Sequence, residues 1–197
     1  MSDNLLGRLF SGGLFARLSG GRLGSGPVGD LYTAVVTRAR EPVFYRDLGV
    51  PDTLDGRFDL VALHCFLVMR RLKGRGAEAG ALSRRLYETM IDNFEKSLLE
   101  MGVGDSGIGR RVKTMARALA GRIRAYDEAL AEPDDRRLEV ALDNNVYGTV
   151  VEGVDPAALA ALTVYVRASA DALDAQPLEA LLRGEVAFAA LPEVRRG

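Results

Sequence analysis

The chain has 197 residues, 48% of them hydrophobic and 27% charged, which is typical of a folded globular protein and argues against disorder. Its formal net charge of -1 excludes a global attraction to nucleic acid, so any such contact must come from a local patch. A single cysteine excludes an internal disulfide and fits a reducing compartment.

The first 26 residues are rich in glycine and serine, and we expect a flexible tail there. Apolar residues spaced four apart, such as Leu5 and Leu9, leave a short membrane-contacting segment as the alternative. The tail has no continuous apolar stretch and does not resemble a secretory signal. We therefore expect a tail at 1–26 and a helical domain at 27–197, with a core bundle at 27–148 and C-terminal helices at 149–197.

Two helices are predicted before the most apolar part of the chain. The first, Pro27–Arg40, carries apolar residues along one face and is stopped by Pro42. The second is short, covers Pro42–Leu48 and ends at Gly49.

The most apolar stretch begins at Phe58, after a segment of turn-forming residues that includes Pro51 and Gly56. It leaves almost no polar face, which is typical of a helix buried on all sides. The apolar run is shorter than the 18 or so residues that a membrane crossing needs. We therefore expect 58–72 to be the centre of the fold, with four basic residues marking where the helix emerges: Arg70, Arg71, Lys73 and Arg75.

Two long amphipathic helices are predicted next. Gly74, Gly76 and Gly80 indicate a flexible connector, and apolar residues at every fourth position then predict a helix over Ala81–Met101. The following helix is expected to have Asp105 or Ser106 as its N-cap and to run to about Leu130. Its predicted buried seam consists of Val112, Met115, Leu119, Ile123, Tyr126 and Leu130.

The remaining chain is also predicted to be mostly helical. A helix after Pro133 is expected to contain Leu138, Val140, Leu142 and Val146. The segment Gly148–Val154 is the only one expected to be extended.

Asp155 and Pro156 form an N-cap and a first helical position, so a helix is predicted over Ala157–Leu173. A last helix over Pro177–Leu191 is expected to be interrupted near Gly184. Because no strands alternate with the helices, the predicted fold class is all-α, a single bundle of about seven helices around 58–72.

Charge is unevenly distributed along the two segments that follow Gly104. Six basic residues between Gly104 and Tyr126 oppose one acidic residue, a local balance of +5, whereas Asp127–Asp143 has a balance of −5. Four of the basic residues share one face at helical spacing and are the candidate partner-binding residues: Arg110, Lys113, Arg117 and Arg124. In the alternative reading, the acidic segment folds back and neutralises this face within the monomer.

Two motifs suggest a cofactor, metal or catalytic site, but their sequence context does not support one in either case. Gly102-x-Gly104-x-x-Gly107 matches a dinucleotide fingerprint, but that motif requires a preceding strand, and here a predicted helix precedes it. His64 and Cys65 are neighbours on a helix, so their side chains point about 100° apart, and a zinc site would need three or four ligands. We predict no catalytic residue, no cofactor and no metal, and we interpret the chain as a binding protein.

Three blocks of the sequence resemble the ubiquinol–cytochrome c chaperone family. They are REPVFYRDLGVPDTLDGRFDLVALH (Arg40–His64), EMGVGDSGIGRRVKTMA (Glu100–Ala116) and GRIRAYDEAL (Gly121–Leu130), and the resemblance extends from about Leu31 to about Phe188. It implies an all-helical assembly factor for the cytochrome bc1 complex that binds nascent or newly inserted cytochrome b. In mitochondria such chaperones work with a small partner protein at the ribosome exit.

We accordingly expect a bacterial, cytoplasmic, non-enzymatic chaperone that works peripherally at the inner face of the membrane. The ribosome exit region and the anionic membrane surface are both candidate docking partners, and DNA is not. Two alternatives share the physical features of the sequence: a helical adaptor or regulatory scaffold unrelated to respiration, and an enzyme that uses the glycine-rich loop.

Overall fold

The computed structural model describes residues 26–100, 105–150 and 153–191; for residues 105–113, 115 and 116 it describes the backbone path only. Eight helices and no strand occur in these ranges. They are α1 Pro27–Ala39, α2 Pro42–Arg46, α3 Leu54–Leu72, α4 Ala77–Glu100, α5 Asp105–Ala131, α6 Arg136–Val146, α7 Pro156–Ala175 and α8 Leu178–Leu182. The predicted all-α bundle is confirmed, and α2 and α8 are single short turns of five residues each.

Helix α3 is the centre of the bundle, as its apolar sequence predicts. It contacts α1, α4, α5, α6 and α7, so nearly every direction around its axis meets another helix. Leu60, Cys65 and Phe66 point in different directions around its axis, and all three are buried. No helix in the described ranges is long and apolar enough to cross a membrane.

The start of α3 lies earlier than predicted, at Leu54 rather than Phe58. The Thr53 hydroxyl is the N-cap and accepts a hydrogen bond from the Gly56 amide at 3.2 Å. A Cβ atom at position 56 would lie 2.1 Å from the Pro51 carbonyl oxygen, so only glycine allows the preceding turn to fold back this closely. The turn-forming residues before Phe58 therefore include the N-cap and the first turn of α3, and they do not form a separate loop.

Arg71 was expected where α3 emerges into solvent, and this prediction is wrong. The side chain is buried, and its Nε and Nη2 atoms donate hydrogen bonds to the carbonyl oxygens of Leu173 and Gln176 at 2.7 and 2.8 Å. Those carbonyls belong to the last turn of α7, where helical partners are missing. Arg71 thus joins the end of α3 to the end of α7.

Helix α4 begins at Ala77, one turn before the predicted start at Ala81. The predicted connector is correspondingly shorter, and Gly80 lies within the helix on its exposed side. Ala79 is buried and extends the apolar stripe of Leu82 and Leu86 by one turn. Packing of this small residue outweighs the low helical propensity of the neighbouring glycine.

Helix α6 buries Leu138, Leu142 and Val146, whereas Val140 is 61% exposed. Position 140 lies about 200° around the helix from 138 and 142, on the opposite face. The segment 148–154 contains no strand in its described residues, and positions 151 and 152 lie outside them.

The N-cap predicted for α7 is confirmed, because an Asp155 side-chain oxygen accepts from the Ala157 amide at 2.9 Å. The last predicted helix is much shorter than expected and ends at Leu182. Gly184 has a φ of 92°, and a Cβ there would meet Pro27 and Asp30 of α1 at 2.9 Å. The chain then continues to Leu191 without regular structure. The Gln176 side chain holds it by donating to the Glu185 carbonyl and accepting from the Ala187 amide.

Candidate functional site

Helix α5 carries the predicted basic face on one side and packs into the bundle with the other. Leu119 and Tyr126 are buried, and Ile123 is partly buried against the same core. Arg117 and Arg124 lie seven residues apart on the opposite, exposed side. The side chains of Val112 and Met115, also predicted for the buried seam, lie outside the described residues.

The four predicted partner-binding residues are therefore only partly described. The backbone of α5 is continuous through Arg110, Lys113, Arg117 and Arg124, whose spacing places them on a common face. The side chains of Arg110 and Lys113 lie outside the described residues. Arg117 and Arg124 are exposed and make no ion pair with any described residue.

The acidic segment that could neutralise this face has other partners in the described part of the chain. The Asp127 carboxylate accepts a hydrogen bond from the Lys73 ammonium at 2.7 Å and also lies 3.9 Å from Arg70. Asp135 pairs with Arg167 of α7. Two further pairs are local to the segment: Glu132 with Arg137 and Asp134 with Arg136.

Among the described side chains of α5, Arg122 is the basic one that points inwards. It pairs with Asp59, whose carboxylate is buried within the apolar part of α3. Burial raises the pKa of Asp59 to about 7, although the Arg122 guanidinium acts in the opposite direction. This pair was not predicted from the sequence. The signal for it is a charged residue inside an apolar stretch, because a buried carboxylate requires a partner.

His64 is buried at the junction of α3 and α7 and is fully hydrogen-bonded. Its Nδ1 atom donates to the Leu60 carbonyl at 2.7 Å, because a carbonyl only accepts, so Nε2 is the acceptor for the Tyr165 hydroxyl at 2.8 Å. The rings of Phe44 and Phe188 lie edge-on to the imidazole, with centroids 5.5 and 5.1 Å away. Burial lowers the pKa of His64 to about 4, so the neutral imidazole acts as a packing and hydrogen-bonding group.

The remaining candidates for chemistry are structural as well. Cys65 is buried, and burial raises the pKa of its thiol, which makes it an inert apolar side chain. Across the described ranges, no three His, Cys, Asp or Glu side chains come together as a metal site. Helix α4 precedes the glycine motif, and Gly107 lies within α5; Gly102 and Gly104 lie outside the described residues.

Comparison with known proteins gives a family for this arrangement. The sequence model of the family described as ubiquinol-cytochrome C chaperone matches residues 46–188. The chain is similar to the ubiquinol-cytochrome-c reductase complex assembly factor 1 of Xenopus laevis, with 30% identity over 166 residues, covering 83% of this chain and 80% of that protein. It is also 28% identical to the Homo sapiens protein of the same name, over 83% of this chain. It spans only 54% of the length of that human relative.

A solved structure shows the same fold. The crystal structure of the Cbp3 homolog from Brucella abortus superposes with a TM-score of 0.76 and 30% sequence identity, over 97% of this chain and all of that one. The family match covers most of the described helices, from the end of α2 to the segment after α8. The chain belongs to the ubiquinol–cytochrome c chaperone family.

Proposed function

We propose that the protein is an assembly factor for the cytochrome bc1 complex and that it binds newly made cytochrome b. The observation that carries the proposal is the family match over residues 46–188, together with relatives named as assembly factors of this complex. The described residues support binding over catalysis, because His64 and Cys65 are locked in the core. Family membership favours this function over an adaptor unrelated to respiration.

The proposal is tested by asking whether newly made cytochrome b associates with the chain. Cells expressing the tagged protein are pulse-labelled, and the protein is purified under mild conditions. Labelled cytochrome b should be recovered early in the chase and should leave as the complex matures. Recovery of all membrane proteins in equal amounts would show nonspecific adhesion and would contradict the proposal.

The exposed face of α5 is our proposed docking surface, and we assign it to the anionic lipid surface at the inner face of the membrane. Arg117 and Arg124 point outwards with small residues, including Ala120 and Gly121, exposed between them. A smooth basic face allows a planar layer of phosphates to approach closely. Each basic residue near an anionic bilayer contributes about 1 kcal/mol of attraction.

Lipid is favoured over ribosomal RNA by the composition of this face. From Asp105 to Ala125 the sequence contains no aromatic residue, and single-stranded RNA is usually bound with aromatic side chains that stack on its bases. Binding to anionic lipid headgroups requires basic side chains but no aromatic ones. The predicted small partner protein stays a prediction, because no described surface identifies it.

The docking prediction is tested by co-sedimentation with anionic vesicles over a salt series, with ribosomes in a parallel series. Arg117→Glu combined with Arg124→Glu should reduce vesicle binding by at least about tenfold, because two attractive charges become repulsive. The matched control is Arg84→Glu with Arg85→Glu, which reverses two exposed charges on α4. Equal binding by both double variants would contradict the assignment, and salt-sensitive binding to ribosomes alone would transfer the face to RNA.

A further inference from the structure

A cleft opens between helices α1, α3 and α4, on a part of the bundle that the proposed function does not use. It holds a cavity of about 100 Å³ that is open to solvent. Small-molecule sites are typically concave and mostly apolar. The junction of packed helices is also a usual place for such sites in helical bundles.

The walls of the cleft are apolar. Phe58 and Phe94 lie against each other with ring centroids 4.5 Å apart. Leu54 and Val61 are only partly buried, so they present apolar surface to the opening. The other apolar wall residues are Val36 and Met90, with the buried phenol of Tyr32 beside them.

The polar lining of the cleft is predominantly basic. Arg40, Arg57 and Lys96 line it together with one carboxylate, Glu100. Leu54 also places the N-terminus of α3 at the lining, which adds a partial positive charge. The neutral polar groups are those of Asn93 and Ser97.

The two arginines of the lining lie close enough to influence each other. Burial lowers the pKa of Arg40, and the positive charge of Arg57 lowers it further. Arg57 also donates to Asp52 at 2.5 Å, and both arginines make other contacts. A guanidinium has five N–H donors and can contact more than one acceptor at the same time. An anion placed between them would relieve their mutual repulsion.

We propose that this cleft binds a single-chain anionic amphiphile, with the hydrocarbon chain against the apolar walls and a carboxylate or phosphate head at Arg40, Arg57 and Lys96. Charge complementarity selects this ligand. The N-terminal segment 1–25 is a poor occupant, because its three arginines oppose a single aspartate and would meet a lining of like charge. The proposal is independent of cytochrome b binding and of the docking face on α5.

The ligand class is tested by titration calorimetry with dodecyl phosphate and dodecanoate below their micelle-forming concentrations. Both should bind with a stoichiometry of one. Dodecyltrimethylammonium carries the same hydrocarbon chain without an anionic head, and inorganic phosphate is the anionic head without a chain. Each should bind at least tenfold more weakly than dodecyl phosphate. Equal binding of the cationic amphiphile would overturn recognition of an anion, and tight binding of inorganic phosphate would show that the apolar walls are irrelevant.

The location is tested with variants of the cleft and matched controls. Val61→Trp fills the cleft and should abolish binding, whereas Val164→Trp, at a position 61% exposed on α7, should leave it unchanged. Arg57→Gln with Lys96→Gln should weaken dodecyl phosphate at least tenfold, and Arg84→Gln with Arg85→Gln should not. Should Val61→Trp fail to fold, the charge pair still decides the question. Unchanged binding in the cleft variants, or no binding by the wild type, overturns the proposal. A peptide segment of a partner is then the alternative occupant of the cleft.

Discussion

At the residue scale, two buried groups make opposite contributions to the pH dependence of stability. The pKa of Asp59 is raised from 3.8 to about 7, so between these values the folded protein retains a proton that the unfolded chain releases. The contribution of Asp59 to the free energy of unfolding therefore falls as the pH rises through this window. The pKa of His64 is lowered from 6.5 to about 4, so its contribution rises as the pH rises from about 4 to 6.5.

These opposing contributions are separable by substitution. In Asp59→Asn, stability should rise more steeply between about pH 4 and 6.5 than in the wild type, because His64 is then unopposed. In His64→Asn, stability should rise less with pH than in the wild type, or should fall, because the contribution of Asp59 is then unopposed. Urea denaturation at several pH values measures both. If either variant shows the same dependence of stability on pH as the wild type, the residue replaced in it has the same pKa in the folded and the unfolded chain.

The interior of α3 should not tolerate charge. Leu67 is 1% exposed and Phe66 2% exposed, so Leu67→Asp or Phe66→Asp would bury a carboxylate without a partner. Such substitutions belong to the most destabilising class, at about 4 kcal/mol or more. We expect insoluble protein or loss of the cooperative melting transition in both. Val164→Asp is the control, since an exposed position should change stability by less than about 0.5 kcal/mol.

At the scale of elements, two positions of α6 that are two residues apart differ strongly in their exposure to solvent. Val140 faces solvent and Leu142 is fully buried. Val140→Lys should leave the melting temperature nearly unchanged, whereas Leu142→Lys should lower stability by several kcal/mol, because it removes core packing and buries an ammonium. A large loss in Val140→Lys would mean that a partner or another copy covers this face.

Helical periodicity predicted the long elements well, because burying an apolar stripe dominates their energetics. It placed α3 at the centre and identified the N-cap at Asp155. The errors occurred where a tertiary contact decides the outcome. Ala79 extends α4 through a glycine-containing turn, and the buried Arg71 binds carbonyls about a hundred residues away. The lining of the α1–α3–α4 cleft is likewise spread over three separate stretches, so no local pattern reveals it.

At the scale of the whole molecule, the bundle carries the two proposed binding surfaces at separate places. The docking face lies on the side of α5 opposite the core, and the cleft lies among α1, α3 and α4. Both are built on helices that pack directly against α3 or against each other. A change at either surface is therefore expected to alter binding without unfolding the bundle.

The central claim is that this chain is needed to build the cytochrome bc1 complex, and deletion of its gene with complementation tests it most directly. The deletion strain should lose spectroscopic b-type haem and bc1 activity, and the wild-type gene should restore both. The Arg84→Glu and Arg85→Glu control should restore them as well, whereas Arg117→Glu with Arg124→Glu should do so poorly at an equal protein level. Normal b-type haem and full bc1 activity in the deletion strain would contradict the account.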